Sequence, residues 1–480
     1  MPEITIDGKK FYFEEGQTII QIADRNGIYI PRYCYHPALS VAGNCRMCLV
    51  EIEGMAKLQI ACATQAVNGM VVHTQSEKVK KARADVLEFL LINHPLDCPI
   101  CDQVGECYLQ DYYMEYGLKK SRIALKDKNR KFKRRDVGKY LILDNERCIL
   151  CTRCVRFCEE VTKTNELFIN SRSDHAFIDI KPESKIENNY SLNIADICPV
   201  GAFTSRDFRF KERVYNLKTT ESICLGCATG CKIKIQHNNN KIYRILPDPN
   251  IYTNTWICDP GRMIYKILYD RRLVGSRFFS KRVEIKEFIY KFSDYIKGKK
   301  IAILLSSYLS IEDNFALYYL ATHVIKTDMI FAPFKVEQKI EDGILINTDK
   351  TPNGAIYQFK DIYGIKDMRE FIGDCDLVIG FYDDIKNLKL PLEKTFIFTY
   401  FDDSQYINAI GILTYFEQEG SFINWQGFLR KTGKAVEAPM DTISVKDFMM
   451  ELARLNAIYP DFEKDIKELF RRISFRKEEK

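Results

Sequence analysis

The chain has 480 residues, 46% of them hydrophobic and 12% aromatic, which suggests about three globular domains with packed cores and excludes a disordered or fibrous protein. No apolar run approaches the roughly 18 residues needed to span a bilayer, and the opening Met-Pro-Glu-Ile-Thr-Ile-Asp-Gly lacks a basic n-region and an apolar h-region, so a soluble chain outside the general export route is expected. The formal charge of +6 coexists with 17 cysteines bunched at short spacings, a pattern of metal or iron-sulfur ligation and not of a disulfide framework.

In chain order, Ile4-Thr-Ile6, Asp7-Gly8 and Lys10-Phe-Tyr-Phe13 read as a hairpin with its turn at the Asp-Gly. Thr18 caps Ile19-Ile20-Gln-Ile22-Ala23 and Gly27 closes it, predicting a short helix across the sheet. A β-grasp unit over residues 1–78 fits this order. The stripe Val79, Ala82, Val86, Phe89 and Leu90 predicts a helix that opens the segment 79–118 and delivers the chain to His94. Ten basic residues against Asp127 alone lie between Lys119 and Arg135. Residues 119–137 therefore read as an extended basic linker, solvated or strapped onto an acidic surface, in preference to a nucleic-acid arm. Segments 138–215 and 216–272 each hold a further cysteine group. From 273 to 480 the texture turns α/β, with strand-like runs at Ile301-Ala-Ile-Leu-Leu305, Leu377-Val-Ile379 and Thr395-Phe-Ile-Phe-Thr399 and a helical stretch over 311–324, so a parallel sheet is expected. The fold class is multidomain, α+β followed by α/β.

Four cysteine groups carry the chemistry. Cys34, Cys45, Cys48 and Cys62 sit late in the β-grasp segment, where plant-type ferredoxins use C-x4-C-x2-C and a distant fourth cysteine for a two-iron (2Fe-2S) cluster; the first interval is longer here. Gly43 lets the backbone approach those sulfurs. Cys98, Cys101 and Cys107 form a three-cysteine set that needs a fourth ligand. His94 stands just before Cys98 at the end of a predicted helix, whereas its competitor Cys158 lies beyond the basic run. Cys148, Cys151, Cys154 and the Cys198-Pro199 pair follow the bacterial-ferredoxin pattern for a four-iron (4Fe-4S) cluster, with Cys158 in the register that serves a second cluster in two-cluster ferredoxins but followed by Glu159 in place of proline. Cys224, Cys227, Cys231 and Cys258 have the spacing of another four-iron site. A four-cysteine zinc site is the alternative for the first and last groups. Cys375 reads as a small structural residue, and His36, His73 and His237 as ordinary histidines. Four such clusters would bring the charge from +6 to about −1, because a four-thiolate site carries about −2. The positive balance then requires no nucleic-acid partner.

The order of these groups resembles the large iron-sulfur subunit of respiratory complex I, the NADH:quinone oxidoreductase. That family begins with a two-iron ferredoxin domain, here matched by Cys34, Cys45, Cys48 and Cys62. It continues with H-x3-C-x2-C-x5-C, matched by His94, Cys98, Cys101 and Cys107. Next comes C-x2-C-x2-C with a remote Cys-Pro, matched by Cys148, Cys151, Cys154 and Cys198. Many bacterial members add C-x2-C-x3-C with a distant cysteine, as in Cys224, Cys227, Cys231 and Cys258. The remainder resembles molybdopterin oxidoreductases: Trp256-Ile-Cys-Asp-Pro-Gly-Arg262 looks like the end of their cluster domain, and Glu419-Gly-Ser-Phe-Ile-Asn-Trp-Gln-Gly427 is similar to their E-G-T-F-x-N-x-x-G stretch. The length that remains implies a shrunken scaffold with no molybdopterin.

The resemblance implies one 2Fe-2S and three 4Fe-4S clusters relaying single electrons. No G-x-G-x-x-G follows a predicted strand, so nothing signals a dinucleotide site. NADH and FMN would then sit on a flavin-bearing partner with its small 2Fe-2S companion, and quinone-side hydrophilic subunits would receive the electrons. The implied place is the cytoplasmic face of a bacterial inner membrane, peripheral to the bilayer. A relay subunit of an NAD-linked hydrogenase or formate dehydrogenase is the nearest alternative, and a zinc-stabilised nucleic-acid-binding protein a distant one. Cys375 is the one cysteine beyond residue 275, so hydrogenase activity in this chain itself is not expected.

Overall fold

The structure, a computed structural model, describes the chain apart from residues 119, 249–254, 372, 389 and 478–480. It separates into two compact units, Met1–Leu217 and Lys218–Lys480.

In the first unit, β1 (Glu3–Ile6) and β2 (Lys9–Tyr12) pair antiparallel with Glu3 opposite Tyr12 and Ile6 opposite Lys9. Asp7 and Gly8 both take positive φ, 49° and 79°, which the two-residue hairpin turn demands and which Asp-Gly supplies at low steric cost. The helix α1 (Ile19–Arg25) buries Ile19, Ile20, Ile22 and Ala23. With β3 (Leu49–Ile52), β4 (Gln59–Ile60) and β5 (Met70–His73) the sheet runs β2-β1-β5-β3-β4, the β1–β5 pair parallel. This is the β-grasp order. Cys48 and Cys62 belong to its core beside Val50 and Ala61, because β3 starts just after the one and β4 ends just before the other.

Helix α2 (Glu77–Leu91) starts at Ser76, whose Oγ accepts from Val79 N at 3.4 Å, and packs against α3 (Tyr108–Tyr116). Buried Arg83 ties them, donating to Tyr116 Oη at 3.1 Å and to Leu49 O at 3.3 Å. The basic run is a strap laid on acids and carbonyls of its own unit. Arg122 pairs with Glu88, Lys133 with Asp97 at 2.8 Å and Glu146 at 3.3 Å, and Arg135 with Asp179. Lys128 Nζ donates to Leu91 O and Ile92 O at 2.7 and 2.9 Å, placing a cation on the negative end of α2. Beyond it, β6 (Arg135–Asp136) and β7 (Leu141–Leu143) join β10 (Phe203–Ser205) in the order β10-β7-β6. Between them lie α4 (Arg153–Arg156), the hairpin of β8 (Leu167–Asn170) and β9 (Phe177–Ile180), and α5 (Asn193–Ile197).

The second unit opens with an antiparallel sheet of β11 (Lys218–Ile223), β12 (Lys232–Asn238) and β13 (Lys241–Pro247), followed by α6 (Asp259–Met263). After the edge hairpin β14 (Ser276–Phe278) and β15 (Lys281–Val283) come α7 (Ile285–Tyr295), β16 (Ile301–Leu304), α8 (Ile311–Tyr319), β17 (Ile330–Ala332), α9 (Ala355–Tyr363) and β18 (Lys366–Asp367). The chain then adds β19 (Leu377–Phe381), α10 (Tyr382–Ile385), β20 (Thr395–Thr399) and β21 (Ala409–Gly411). These strands form one eight-stranded sheet, β15-β14-β21-β20-β19-β16-β17-β18, parallel from β21 to β18 with the β14–β15 hairpin antiparallel at one edge. Every residue of β16, β19 and β20 is buried, as expected where helices cover both faces. A short hairpin, β22 (Ser421–Ile423) and β23 (Leu429–Lys431), precedes α11 (Val445–Leu455) and α12 (Phe462–Arg472). Phe288, Phe292, Phe396, Phe398 and Phe448 form the aromatic centre of the core. Cys375 is 7% exposed, packed with Leu304, Phe331 and Val378.

Candidate metal centres

The first set meets as two pairs of thiols. Cys34 hydrogen-bonds Cys45, and Cys48 hydrogen-bonds Cys62. The Cys34–Cys45 bond holds the Cys34 thiol below its ordinary range against its burial. The Cys45 sulfur also accepts from the backbone of Tyr33 at 3.5 Å and of Cys34 at 3.4 Å. Two thiols per iron and N–H donors on sulfur are what a two-iron core asks of a protein, so this set fits one.

In the second set, His94, Cys98 and Cys107 line a common cavity of about 470 Å³ walled by Leu87, Leu91 and Leu109. Cys101, whose thiol acts on that of Cys107, is held where Arg213 donates to Cys101 O at 2.7 Å and Pro99 O at 2.9 Å. His94 Nδ1 is buried without a hydrogen-bond partner. Burial, helped by the cations of Lys128 and Arg147, pulls its imidazole down to about 4. It is therefore neutral near pH 7, the state in which imidazole binds metal. Burial pushes the Cys107 thiol up to about 12, with Cys101 and Cys98 adding to it. The set fits a four-iron core with one imidazole ligand. Cys158 lies elsewhere: it sits in the π-turn Phe157–Val161, its thiol hydrogen-bonded with Glu166 and its carbonyl accepting from Thr164 N at 2.9 Å.

The third set is gathered closely. Cys148, Cys151, Cys154 and Cys198 act on one another's thiols; burial first, then these neighbours, push Cys148 up to about 12 and Cys151 to about 11. Leu150 and Thr152 take left-handed φ of 53° and 61°, folding the C-x2-C-x2-C run back so that Leu150 N reaches Cys148 Sγ at 3.4 Å. The fourth set, in the second unit, is built the same way. Cys224 N donates to Cys231 O at 2.8 Å, Gly261 N to Cys258 Sγ at 3.4 Å, and burial lifts Cys258 to about 11. A Cβ on Gly261 would stand 3.1 Å from Cys224 Sγ and 3.3 Å from Cys258 Sγ, so a glycine is what leaves these two sulfurs room. Among the described residues no three His, Cys, Asp or Glu side chains close into the shell of a single ion. Thiols held neutral by burial must lose protons when they bind metal, so loading is pH-dependent and releases protons.

The structure thus places the members of the first, third and fourth sets near one another, and His94, Cys98 and Cys107 of the second around one cavity. Sequence reasoning missed the residues between them: Arg147, Arg153, Arg156, Gly201 and Asn424. Arg153 and Arg156 could have been noticed, since they interrupt the ligand run itself at Thr152-Arg153-Cys154-Val155-Arg156.

Comparison with known families agrees with this geometry. A 2Fe-2S iron-sulfur cluster binding domain matches residues 2–77, and an NADH-ubiquinone oxidoreductase-G iron-sulfur binding region matches 83–122. The ferredoxin-like domain of NADH-quinone oxidoreductase subunit 3 matches 138–204, and a molybdopterin oxidoreductase Fe4S4 domain matches 217–270. The G-type subunit of NADH-quinone oxidoreductase from Rickettsia typhi is 40% identical over 358 residues, 72% of this chain and 53% of that protein. The mitochondrial 78 kDa subunit of NADH-ubiquinone oxidoreductase from Candida albicans is 44% identical over 272 residues, 56% of this chain and 38% of that protein. An NAD+-reducing NiFe hydrogenase structure, 31% identical, covers 44% of this chain and 91% of its own with a TM-score of 0.40. The chain spans about half the length, or less, of the curated relatives it matches. These matches define a multidomain iron-sulfur protein with two-iron and four-iron cluster-binding domains. More particularly, the chain is a homologue of the G-type subunit of NADH-quinone oxidoreductase.

Proposed function

We propose that the chain is an electron-relay subunit of an NADH:quinone oxidoreductase, standing between a flavin-bearing NADH-oxidising partner with its small 2Fe-2S companion and the quinone-side hydrophilic subunits. The observation that carries this reading is the presence of four separate donor sets, each inside a segment matched to an iron-sulfur domain. We assign Cys34, Cys45, Cys48 and Cys62 to one 2Fe-2S cluster. Three 4Fe-4S clusters go to His94 with Cys98, Cys101 and Cys107; to Cys148, Cys151, Cys154 and Cys198; and to Cys224, Cys227, Cys231 and Cys258. Such clusters supply reversible one-electron storage, at potentials that proteins spread over about −700 to +450 mV. What the chain contributes is ligand charge, backbone N–H donors aimed at sulfur, and exclusion of water. The α/β remainder of the second unit is read as a scaffold without molybdopterin. Among the described residues no helix is long and apolar enough to cross a membrane, and attachment through partners at the cytoplasmic face of a bacterial inner membrane fits that.

The test is iron and sulfide quantification with EPR of the reduced chain: about 14 iron atoms per chain are expected, and a value near ten removes one four-iron site. Isolation with a tightly bound hydrogenase or molybdenum subunit, in place of a quinone-side one, would overturn the assignment to a quinone reductase.

Within the second set, an imidazole brings less negative charge than a thiolate, which raises potential in Rieske centres. His94→Cys is accordingly expected to keep its iron and show a lowered midpoint potential. Cys158→Ala should leave that site's EPR signal unchanged; its disappearance would transfer the fourth ligand to Cys158.

A further inference from the structure

Two buried arginines join the first and third donor sets. Arg156, 7% exposed, closes α4, and its Nη2 donates to Cys34 O at 2.6 Å and to Cys151 O at 3.3 Å. One planar cation therefore holds the main-chain carbonyl of a cysteine from each set. Its Nη1 donates to Ser40 O in the first set's loop, and its Nε to Thr152 Oγ1 at 3.3 Å in the third's. Arg153, 6% exposed, repeats the pattern one position away from the ligands: Nη2 donates to Tyr35 O at 2.6 Å and Nη1 to Ile197 O at 3.0 Å. Tyr35 follows Cys34, and Ile197 precedes Cys198. Asn44 Nδ2 adds a bond to Leu150 O at 3.3 Å.

Every acceptor of these two guanidinium groups is a carbonyl or a hydroxyl. Among the described residues the hydrogen bonds of these two arginines reach no carboxylate. A buried charge is normally paired, because leaving it without a counter-ion in a poorly solvated interior is costly. What the structure offers as counter-charge is thiolate: four ligands around each adjacent core leave about −2 per site when the core is in place. A carboxylate would cancel the cation before it reached the sulfurs; carbonyls only orient it.

We propose, resting on the cluster assignment above, that Arg153 and Arg156 are positioning residues forming one cationic clasp shared by the first and third sites, which fixes the two ligand loops in register and sets both midpoint potentials together. Adding an electron makes each site more negative, so a cation common to both favours reduction of both. Removing it must lower both potentials, and substituting lysine must separate charge from bridging, since an ammonium cannot span the two carbonyls as a planar fork does.

The experiment uses the full chain loaded with iron and sulfide, wild type and Arg156→Gln, Arg156→Lys and Arg153→Gln, titrated electrochemically under EPR, with the exposed Arg172→Gln as control. Iron content of the wild type tests the cluster assignment; the variants test the clasp. Arg156→Gln is expected to shift the two-iron signal and the third set's signal to lower potential together, with the second and fourth unmoved, Arg156→Lys to shift them less, and Arg172→Gln to shift none. Should Arg156→Gln lose iron, loss from both the first and third sites supports the clasp. A shift or loss confined to one of the two sites, or no shift in either, overturns it.

Discussion

Gly201→Ala is expected to strip a four-iron cluster from the second set although Gly201 lies on the loop of the third. Gly201 follows Cys198-Pro199-Val200, and a Cβ built on it would overlap Cys101 Sγ, closer than real Cβ atoms come to sulfur. The neighbouring atoms leave no relief: Gln103 Cβ stands at 3.3 Å and Arg147 Cδ at 3.6 Å. Arg147 is itself pinned, 4% exposed and bonded to Asp97 at 3.1 Å and Asp144 at 3.4 Å. Gly201 is not among the residues with positive φ, so the backbone tolerates alanine and the cost falls on the sulfur. Displacing one ligand of four should lower iron from about 14 to about 10 per chain. The EPR signal assigned to the second set should vanish while the third set's remains. Full iron with an unchanged spectrum would show that Cys101 is free to move, and would break the assignment of this cavity to a cluster.

That contact also shows where sequence reading stops. Three ligands of the third and fourth sets lie close along the chain, as in Cys148-Ile-Leu-Cys151-Thr-Arg-Cys154, with the fourth marked by Cys198-Pro199 or a lone Cys258, so cluster chemistry is written in spacing and is legible. The hairpin at Asp7-Gly8, the helix capped at Ser76 and the fully buried strands β16, β19 and β20 are legible for the same reason, since local periodicity and turn chemistry decide them. Contacts between loops obey no period. Arg156 reaches Cys34 across 122 positions, and Arg430 reaches Gly230 across 200; nothing in either segment announces the other. The basic run was readable only as composition. Its role as a strap depends on Glu88, Asp97, Glu146 and Asp179, which four different segments supply. The antiparallel edge of the large sheet escaped too, because β14 and β15 are three residues each, too short for alternation to register.

Asn424→Ala is expected to unseat the fourth cluster and leave the other three. The Glu419-Gly-Ser-Phe-Ile-Asn-Trp-Gln-Gly427 stretch, about two hundred positions from the loop it serves, forms the backing of Cys227–Cys231. Asn424 Nδ2 donates to Thr229 O at 3.1 Å, Trp425 N to Ala228 O at 2.9 Å, and Arg430 Nη1 to Gly230 O at 2.7 Å. Gly230 has a φ of 58°, and a Cβ on it would meet Asn424 Cβ at 3.1 Å, so the loop turns where the two segments touch. Asn424 also organises its own strand end, its Oδ1 accepting from Gln426 N at 3.2 Å and Phe428 N at 2.9 Å. It is 3% exposed, and truncation removes the donor to the carbonyl of buried Thr229 and the acceptor shared by Gln426 N and Phe428 N. At about 1–3 kcal/mol for a buried group left unsatisfied, the Thr229 carbonyl alone sets a local cost of about 1–3 kcal/mol. For a unit of this size that corresponds to a fall of roughly 2–12 °C in the melting of residues 218–480. Iron should drop by about four atoms in the alanine variant, from the signal assigned to Cys224, Cys227, Cys231 and Cys258 alone. Retention of that signal together with an unchanged melting temperature would reduce the stretch to packing, and the α/β scaffold would then have no hold on the cluster loop.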